Sequence, residues 1–201
     1  MSRLLWLLSV ALTAAILGTA SAIYASQTIK PTGMIRIGPW EAVRAVGDSA
    51  ADPYAHAYIA SSGQLPPGTA EGLRFVATTS SDGRAIRPDC SVLLSGEVEI
   101  ARLWTLSILA PDGLPTSDGS PLAVRRNTAP TVHSRDIVYR SDGGFDLTIG
   151  PSPRTPNTLL LRTQEPVSLV LHVYDGAIST APDSGAAALP TISVGTDNPD
   201  C

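Results

Sequence analysis

The sequence predicts a mainly β protein. The expected fold is an antiparallel β-sandwich or jelly-roll-like domain with one short helix, preceded by an N-terminal transmembrane or signal helix. Three observations predict it. Charged residues make up 16% of the chain while Gly and Pro number 17 each, a balance that suits short strands and many turns better than a helical bundle. Alternating apolar and polar residues recur, most clearly in Arg102 to Gly113. There Trp104, Leu106 and Ile108 share one face, Thr105 and Ser107 share the other, and Asp112-Gly113 turns the chain, which reads as the central strand. Finally, Leu4 to Tyr24 is a 21-residue run without a charge.

That run is long enough to cross a bilayer as a helix, about 30 Å at about 1.5 Å per residue. Trp6 and Tyr24 lie near its ends, where aromatic side chains favour the interface. A cleaved signal peptide is the competing reading, with Arg3 as its basic start, Ala20-Ser21-Ala22 as a cleavage motif, and Ala22 or Ala25 as the last residue removed. Ile23 and Tyr24 carry the apolar run past that motif, which favours the uncleaved anchor. Arg3 on one side and Lys30 and Arg36 on the other leave the orientation undecided by charge. The signal-like start and the cysteine usage favour a domain on the outer side of the membrane.

The chain then divides into residues 1–25 (anchor or signal), 26–33 (connector), 34–176 (sandwich domain) and 177–201. That last stretch is a Pro/Gly/Ala-rich tail with room for an edge strand at Leu189 to Val194. Met34 to Ile37 reads as a strand broken by Gly38-Pro39, and Trp40 to Val46 as a second extended piece. Asp52 to Ala60 is the one clear soluble helix, with Asp52 as N-cap, Pro53 at the first position and Gly63 as the stop. Tyr54 and Tyr58, at i and i+4, are expected to pack on the sheet, with His56 on another face. Leu73 to Thr79 and Cys90 to Gly96 are further strands, the first followed by the Ser81-Asp82-Gly83 turn. Residues 111–130 form a long loop with a short strand at Leu122 to Val124. Asp136 to Arg140 and Phe145 to Ile149 flank Ser141-Asp142-Gly143-Gly144, the strongest hairpin signal in the chain. Three prolines keep Gly150 to Asn157 out of any central strand, and Val167 to Tyr174 is apolar enough to be buried on both faces.

Without residues 1–25 the chain loses Arg3 alone, leaving 13 basic against 18 acidic residues. A net acidic domain with no basic cluster argues against nucleic acid and against charge-driven docking on anionic lipid. The two cysteines, Cys90 and Cys201, have no zinc-ligand spacing. In an exported domain two cysteines usually pair, so a Cys90–Cys201 disulfide is expected. The alternative is a buried free thiol and a frayed terminal one.

Several pieces recur in a recognisable order. They are Ile35-Arg36-Ile37-Gly38-Pro39-Trp40, the Asp52-Pro53-Tyr54 helix, Ala70-Glu71-Gly72-Leu73, and Cys90 followed by a Ser-Val-Leu-Leu-Ser-Gly strand. Trp104-Thr105-Leu106 comes next, then Ser134-Arg135-Asp136-Ile137 leading into Asp142-Gly143-Gly144, and then Leu169 to Asp175. Over about residues 34 to 194 this order resembles the bacterial family called domain of unknown function 1214, in its short, membrane-anchored form. The resemblance implies a β-sandwich and no established chemistry; larger relatives join this domain to a second β-rich one. Two departures stand out. The family's Asn-Trp-Leu-Pro is Asn157-Thr158-Leu159-Leu160 here, and a helix position often held by Arg is His56.

Nucleophile-elbow, HExxH, P-loop and dinucleotide motifs are absent from the sequence. His172, within an apolar strand, reads as a core histidine. A metal set of Asp52, His56 and His133 has no support from spacing, so neither metal nor cofactor is expected. Glu97 and Glu99 read as a solvated strand end, and Arg135-Asp136 with Arg140 as surface ion pairs. Trp40 and Trp104 read as core, with a sugar-stacking platform as the alternative. The leading expectation is a non-catalytic, membrane-held envelope domain for binding or assembly. A small-molecule hydrolase, with a pocket near Asp52, His56, Trp104 and Arg135, and a carbohydrate-binding domain are the alternatives.

Overall fold

The computed structural model describes residues 2–28, 33–43, 52–62, 68, 71–98, 101–110, 130–161, 163–176, 188–196 and 201. Helix α1 (Ser2–Thr28) precedes β1 (Met34–Ile37), β2 (Trp40–Val43) and helix α2 (Pro53–Ser62). Next come β3 (Gly72–Ala77), β4 (Val92–Gly96), β5 (Leu103–Leu109), β6 (Thr131–His133) and β7 (Phe145–Gly150). The chain ends with β8 (Asn157–Leu160), β9 (Ser168–Tyr174) and β10 (Thr191–Val194).

The strands form two sheets, one of six in the order β1-β2-β3-β9-β5-β6 and one of four in the order β10-β4-β7-β8. The first is antiparallel throughout. In the second, β10, β4 and β7 are antiparallel and β8 runs parallel to β7, so an all-antiparallel reading is corrected at that edge. The connection between these two parallel strands is only Pro151–Pro156, shorter than the dozen or more residues a parallel crossover usually takes.

The period-2 pattern of β5 puts Trp104, Leu106 and Ile108 in the core. They face Phe145, Leu147 and Ile149 of β7 and Val92 and Leu94 of β4 in one buried cluster. Trp104 stacks on Phe145 with ring centroids 5.1 Å apart, so an aromatic pair joins the two sheets at their inner faces. Trp40 closes another part of the core, fully buried, with Nε1 donating to the Pro190 carbonyl at 2.8 Å. Its indole hydrogen bond fixes β2 to the segment that leads into β10.

β9 rather than β5 lies at the centre of the large sheet, with β1, β2 and β3 on one side and β5 and β6 on the other. On β9, Leu169, Leu171 and Val173 point inward, and Val170 on the opposite face is buried as well, the burial on both faces that its apolar run predicts. Gly72 opposes Tyr174 in the β3–β9 ladder. A Cβ there would lie 2.6 Å from the Val173 carbonyl oxygen, so only glycine lets the two backbones approach this closely.

The expected hairpin at 136–149 is not a ladder. Residues 134–136 form a 3-10 turn and residues 137–140 no strand. The reversal is a turn closed by Arg140 N–H to the Gly144 carbonyl and by Gly143, at φ 87, donating to Arg140. The polar Ser141–Gly144 sequence does make a turn, but β7 finds its partners in β4 and β8. Cys90 likewise lies in a 3-10 turn, Pro88–Cys90, rather than at the start of β4. The tail belongs to the sandwich: β10 is the edge strand expected at its C-terminal end. The expectations for Leu122 to Val124, Gly63, Glu99, Ala177 to Gly185 and the side chain of Tyr58 lie outside the described residues.

Candidate functional site

Among the described residues, a concave feature grows from the end of β7, the end of β8 and the turn before β4. Residue by residue, Gly150 closes β7 and Pro151 and Ser152 leave it. Leu161 N–H donates to the Gly150 carbonyl at 3.0 Å and Val167 N–H to Ile86 at 2.9 Å. These bonds bring Thr163 and Gln164 beside the Arg87–Ser91 segment. Asp89, Pro151, Ser152, Thr163 and Gln164 line a cavity of about 520 Å³.

The floor of this cleft is held firmly. Cys90 is joined to Cys201 by a disulfide with Cα atoms 5.6 Å apart, which realises the expected pairing. Arg84 donates to the Val194 and Cys201 carbonyls at 2.6 and 3.4 Å, a second clasp on the same terminus. Ser91 holds φ 52 although it is not glycine, a left-handed conformation costly for an L-residue. A Cβ on Gly150 would meet Ser91 Oγ and Pro88 O at 3.3 Å. Arg87 pairs with Asp89 at 2.8 Å, and Asp89 Oδ1 is buried without a donor among the described residues.

The cleft thus offers one arginine-held carboxylate, two hydroxyls and a carboxamide. Such a set recognises a ligand by hydrogen bonds. The described hydrogen bonds join neither the Ser152 nor the Thr163 hydroxyl to a histidine or carboxylate, the pairing that activates a nucleophile. Among the described residues no three or more His, Cys, Asp or Glu cluster as a metal would need.

The residues singled out from sequence are spread over the fold. Asp52 accepts from the Tyr54 and Ala55 N–H groups at 2.8 and 3.1 Å, an N-cap. His56 is exposed on α2. Trp104 is buried in the inter-sheet core and Arg135 exposed on the turn that packs on β5. Tyr54 is 45% exposed instead of packing on the sheet, and Ala55 is the buried residue of that turn. With Trp40 and Trp104 both in the core, neither presents a ring for a sugar to stack on. Arg140 is committed to Asp142 and Asp146 at 3.2 and 2.6 Å. The Ser95 hydroxyl, then Arg140, holds the Asp146 carboxyl below its usual range.

His172 lies on the outer face of β9, between Arg74 of β3 and Thr105 of β5, with Tyr174 stacked 6.0 Å away. Burial, and then the Arg74 charge, push its pKa down to about 4. It is a neutral imidazole at physiological pH. The cleft residues Asp89, Ser152, Thr163 and Gln164 carry no motif, and no sequence signal marks them. Asp89 precedes β4, Ser152 follows β7, and Thr163 and Gln164 follow β8, so strand pairing and not local sequence brings them together.

No family model matches the chain, and no curated protein matches it. Among solved structures, the VPA0106 protein from Vibrio parahaemolyticus is similar, with a TM-score of 0.58 at 14% identity over 93% of this chain. An uncharacterized protein from Burkholderia cenocepacia is matched over 62% of this chain at 9% identity and a TM-score of 0.36. The chain spans 45% of the length of the Vibrio protein, and at that identity the likeness is one of fold.

Proposed function

We propose that the chain is a single-pass cell-envelope protein of the domain of unknown function 1214 kind. Its sandwich is held outside the inner membrane for binding or assembly. The observation that carries this reading is α1. Arg3–Ala25 is long and apolar enough to span a bilayer, and residues 3–24 lie exposed. A helix apolar all round and packed on the rest of the protein only at its C-terminal end is stable in lipid and costly in water. The Cys90–Cys201 disulfide supports the sidedness, because such bonds persist in oxidising compartments.

The test is a membrane fraction from a bacterial host expressing the full chain. The protein stays in the pellet after alkaline carbonate washing with its N-terminal residues intact. A C-terminal reporter active only outside the inner membrane gives signal. A soluble product starting after Ala22 or Ala25 rejects the anchor, and activity of a cytoplasm-only reporter rejects the orientation.

The cleft beside Asp89 supports binding of a small polar ligand as the purpose of the domain. A thermal-shift screen of small hydroxylated and carboxamide compounds should give hits that Ser152→Trp abolishes and Ser141→Trp leaves intact. Absence of hits, or hits indifferent to Ser152→Trp, overturns it.

A further inference from the structure

We propose that α2 lies in the surface of the membrane that α1 crosses, with its outward face among the lipid headgroups and the first acyl carbons. The sandwich is then seated on the bilayer by two elements instead of swinging from one. This rests on the anchored reading of α1 given above.

The first observation is the composition of the exposed arc. At about 100° per residue, Pro53, Tyr54, His56, Ala57 and Ala60 fall on the side of α2 away from Ala55. Ala55 is fully buried, while Pro53, Tyr54, His56 and Ala60 are exposed and Ala57 partly so. The ten residues Pro53–Ser62 contain no Asp, Glu, Lys or Arg. A helix whose outer side meets water normally carries charges there. An arc of Pro, Ala, Tyr and His without one suits the membrane interface, where tyrosine is enriched.

Position is the second observation. α2 packs against α1. Residues 3–24 of α1 are exposed, and cover begins at Ala25, so the contact is at the C-terminal end of α1. Arg3–Ala25 is 23 residues, about 34 Å of helix, which fills a hydrocarbon core of about 30 Å and brings Ala25 out at headgroup depth. α2 therefore meets α1 where the bilayer ends. The tether is also short. From Thr28 to Met34 six residue steps reach at most about 20 Å, so β1 and the elements around it cannot leave the surface.

Energetics favour the lipid as occupant. A helix without basic residues binds membranes weakly on its own. Here α1 has already fixed the domain at the surface, so the translational cost is met and a slight interfacial preference suffices.

The experiment uses the full chain reconstituted in phosphatidylethanolamine/phosphatidylglycerol vesicles. Nitroxide labels are placed singly at His56→Cys, Ala60→Cys and, as aqueous reference, Ser141→Cys in the exposed turn before β7. Collision rates with oxygen, which concentrates in lipid, and with a water-soluble nickel chelate are compared. The expected result is an oxygen-to-nickel ratio several times higher at 56 and 60 than at 141. A ratio at 56 and 60 equal to that at 141, in protein that still pellets after carbonate washing, overturns the proposal while leaving the anchor standing. Labels shielded from both reagents, as contact with a second copy or another protein would make them, overturn it too. Protein released by carbonate overturns the anchored reading itself.

Discussion

Asn157 shows how one side chain replaces a strand pairing. Its Oδ1 accepts from Val138 N–H at 2.7 Å, and its Nδ2 donates to the Val138 and Asp146 carbonyls at 2.9 and 3.0 Å. The residue is buried. It pins the 137–139 segment to the start of β8 although the two form no ladder. Asn157→Ala leaves backbone groups without partners, and the expected loss is about 2–3 kcal/mol in chemical denaturation; Asn157→Asp loses the donor half and is destabilised as well. Local sequence does not reveal this role of Asn157, because its partners lie 11 and 19 residues away.

His172 supplies the residue-scale pH prediction. Its folded pKa of about 4 lies below the ordinary histidine value of about 6.5. Above that value neither state takes the proton, and its contribution to stability is complete. As pH falls through the window from 6.5 towards 4, the unfolded chain binds a proton that the fold refuses, so stability declines. Denaturation midpoints of wild type should therefore fall between pH 7 and 5 more steeply than those of His172→Gln. Parallel curves would show that His172 carries no linkage.

At the scale of elements, what the sequence revealed follows from burial. β3, β4, β5 and β7 show the period-2 pattern of strands with one face in the core, and β9 shows the continuous apolar run of a strand covered on both. Pairing is another matter. Phe145 to Ile149 was legible as a strand, but its pairing with β4 and β8 was not. The local Asp142-Gly143 signal specifies a turn without specifying a ladder, and long-range register is carried by side chains far apart in sequence. The candidate pocket failed to assemble for the same reason. Asp52 and His56 belong to a helix whose neighbour is α1, while Trp104 serves the inter-sheet core. Glycine at the β3–β9 approach gives the test at this scale. Gly72→Ala drives a methyl to 2.6 Å from the Val173 carbonyl at the centre of the large sheet, so backbone must move. The expected cost is about 1–3 kcal/mol, whereas Gly83→Ala, where a Cβ meets no atom within 4 Å but φ is 84, pays only turn strain of about 1 kcal/mol. Equal losses in calorimetry would mean that β3 and β9 can separate without penalty.

For the molecule as a whole, the two ends are fixed by different means, and the C-terminal one is covalent. The disulfide spans a sequence separation of 111, so it closes most of the sandwich, from the turn before β4 to Cys201 beyond β10, into one loop. Constraining so long a loop in the unfolded chain contributes about 2–4 kcal/mol. β10 otherwise depends on β4 alone in its sheet, with Arg84 and Ser81 as side anchors. Cys201→Ser should therefore lower the free energy of unfolding by that amount. Hydrogen exchange should speed up first at β10 and β4, because the edge strand loses its clasp while the Trp104–Phe145 contact between the sheets is untouched. Reductant should bring wild type down to the Cys201→Ser value and leave the variant unmoved. If reductant destabilises both equally, its action lies elsewhere than in the Cys90–Cys201 bond. If the variant unfolds at the wild-type midpoint, the Arg84 clasp holds the terminus alone. The sign also bears on location: a sandwich whose edge strand is secured by a disulfide keeps its full stability only where that bond stays oxidised, which is the side of the membrane proposed for it.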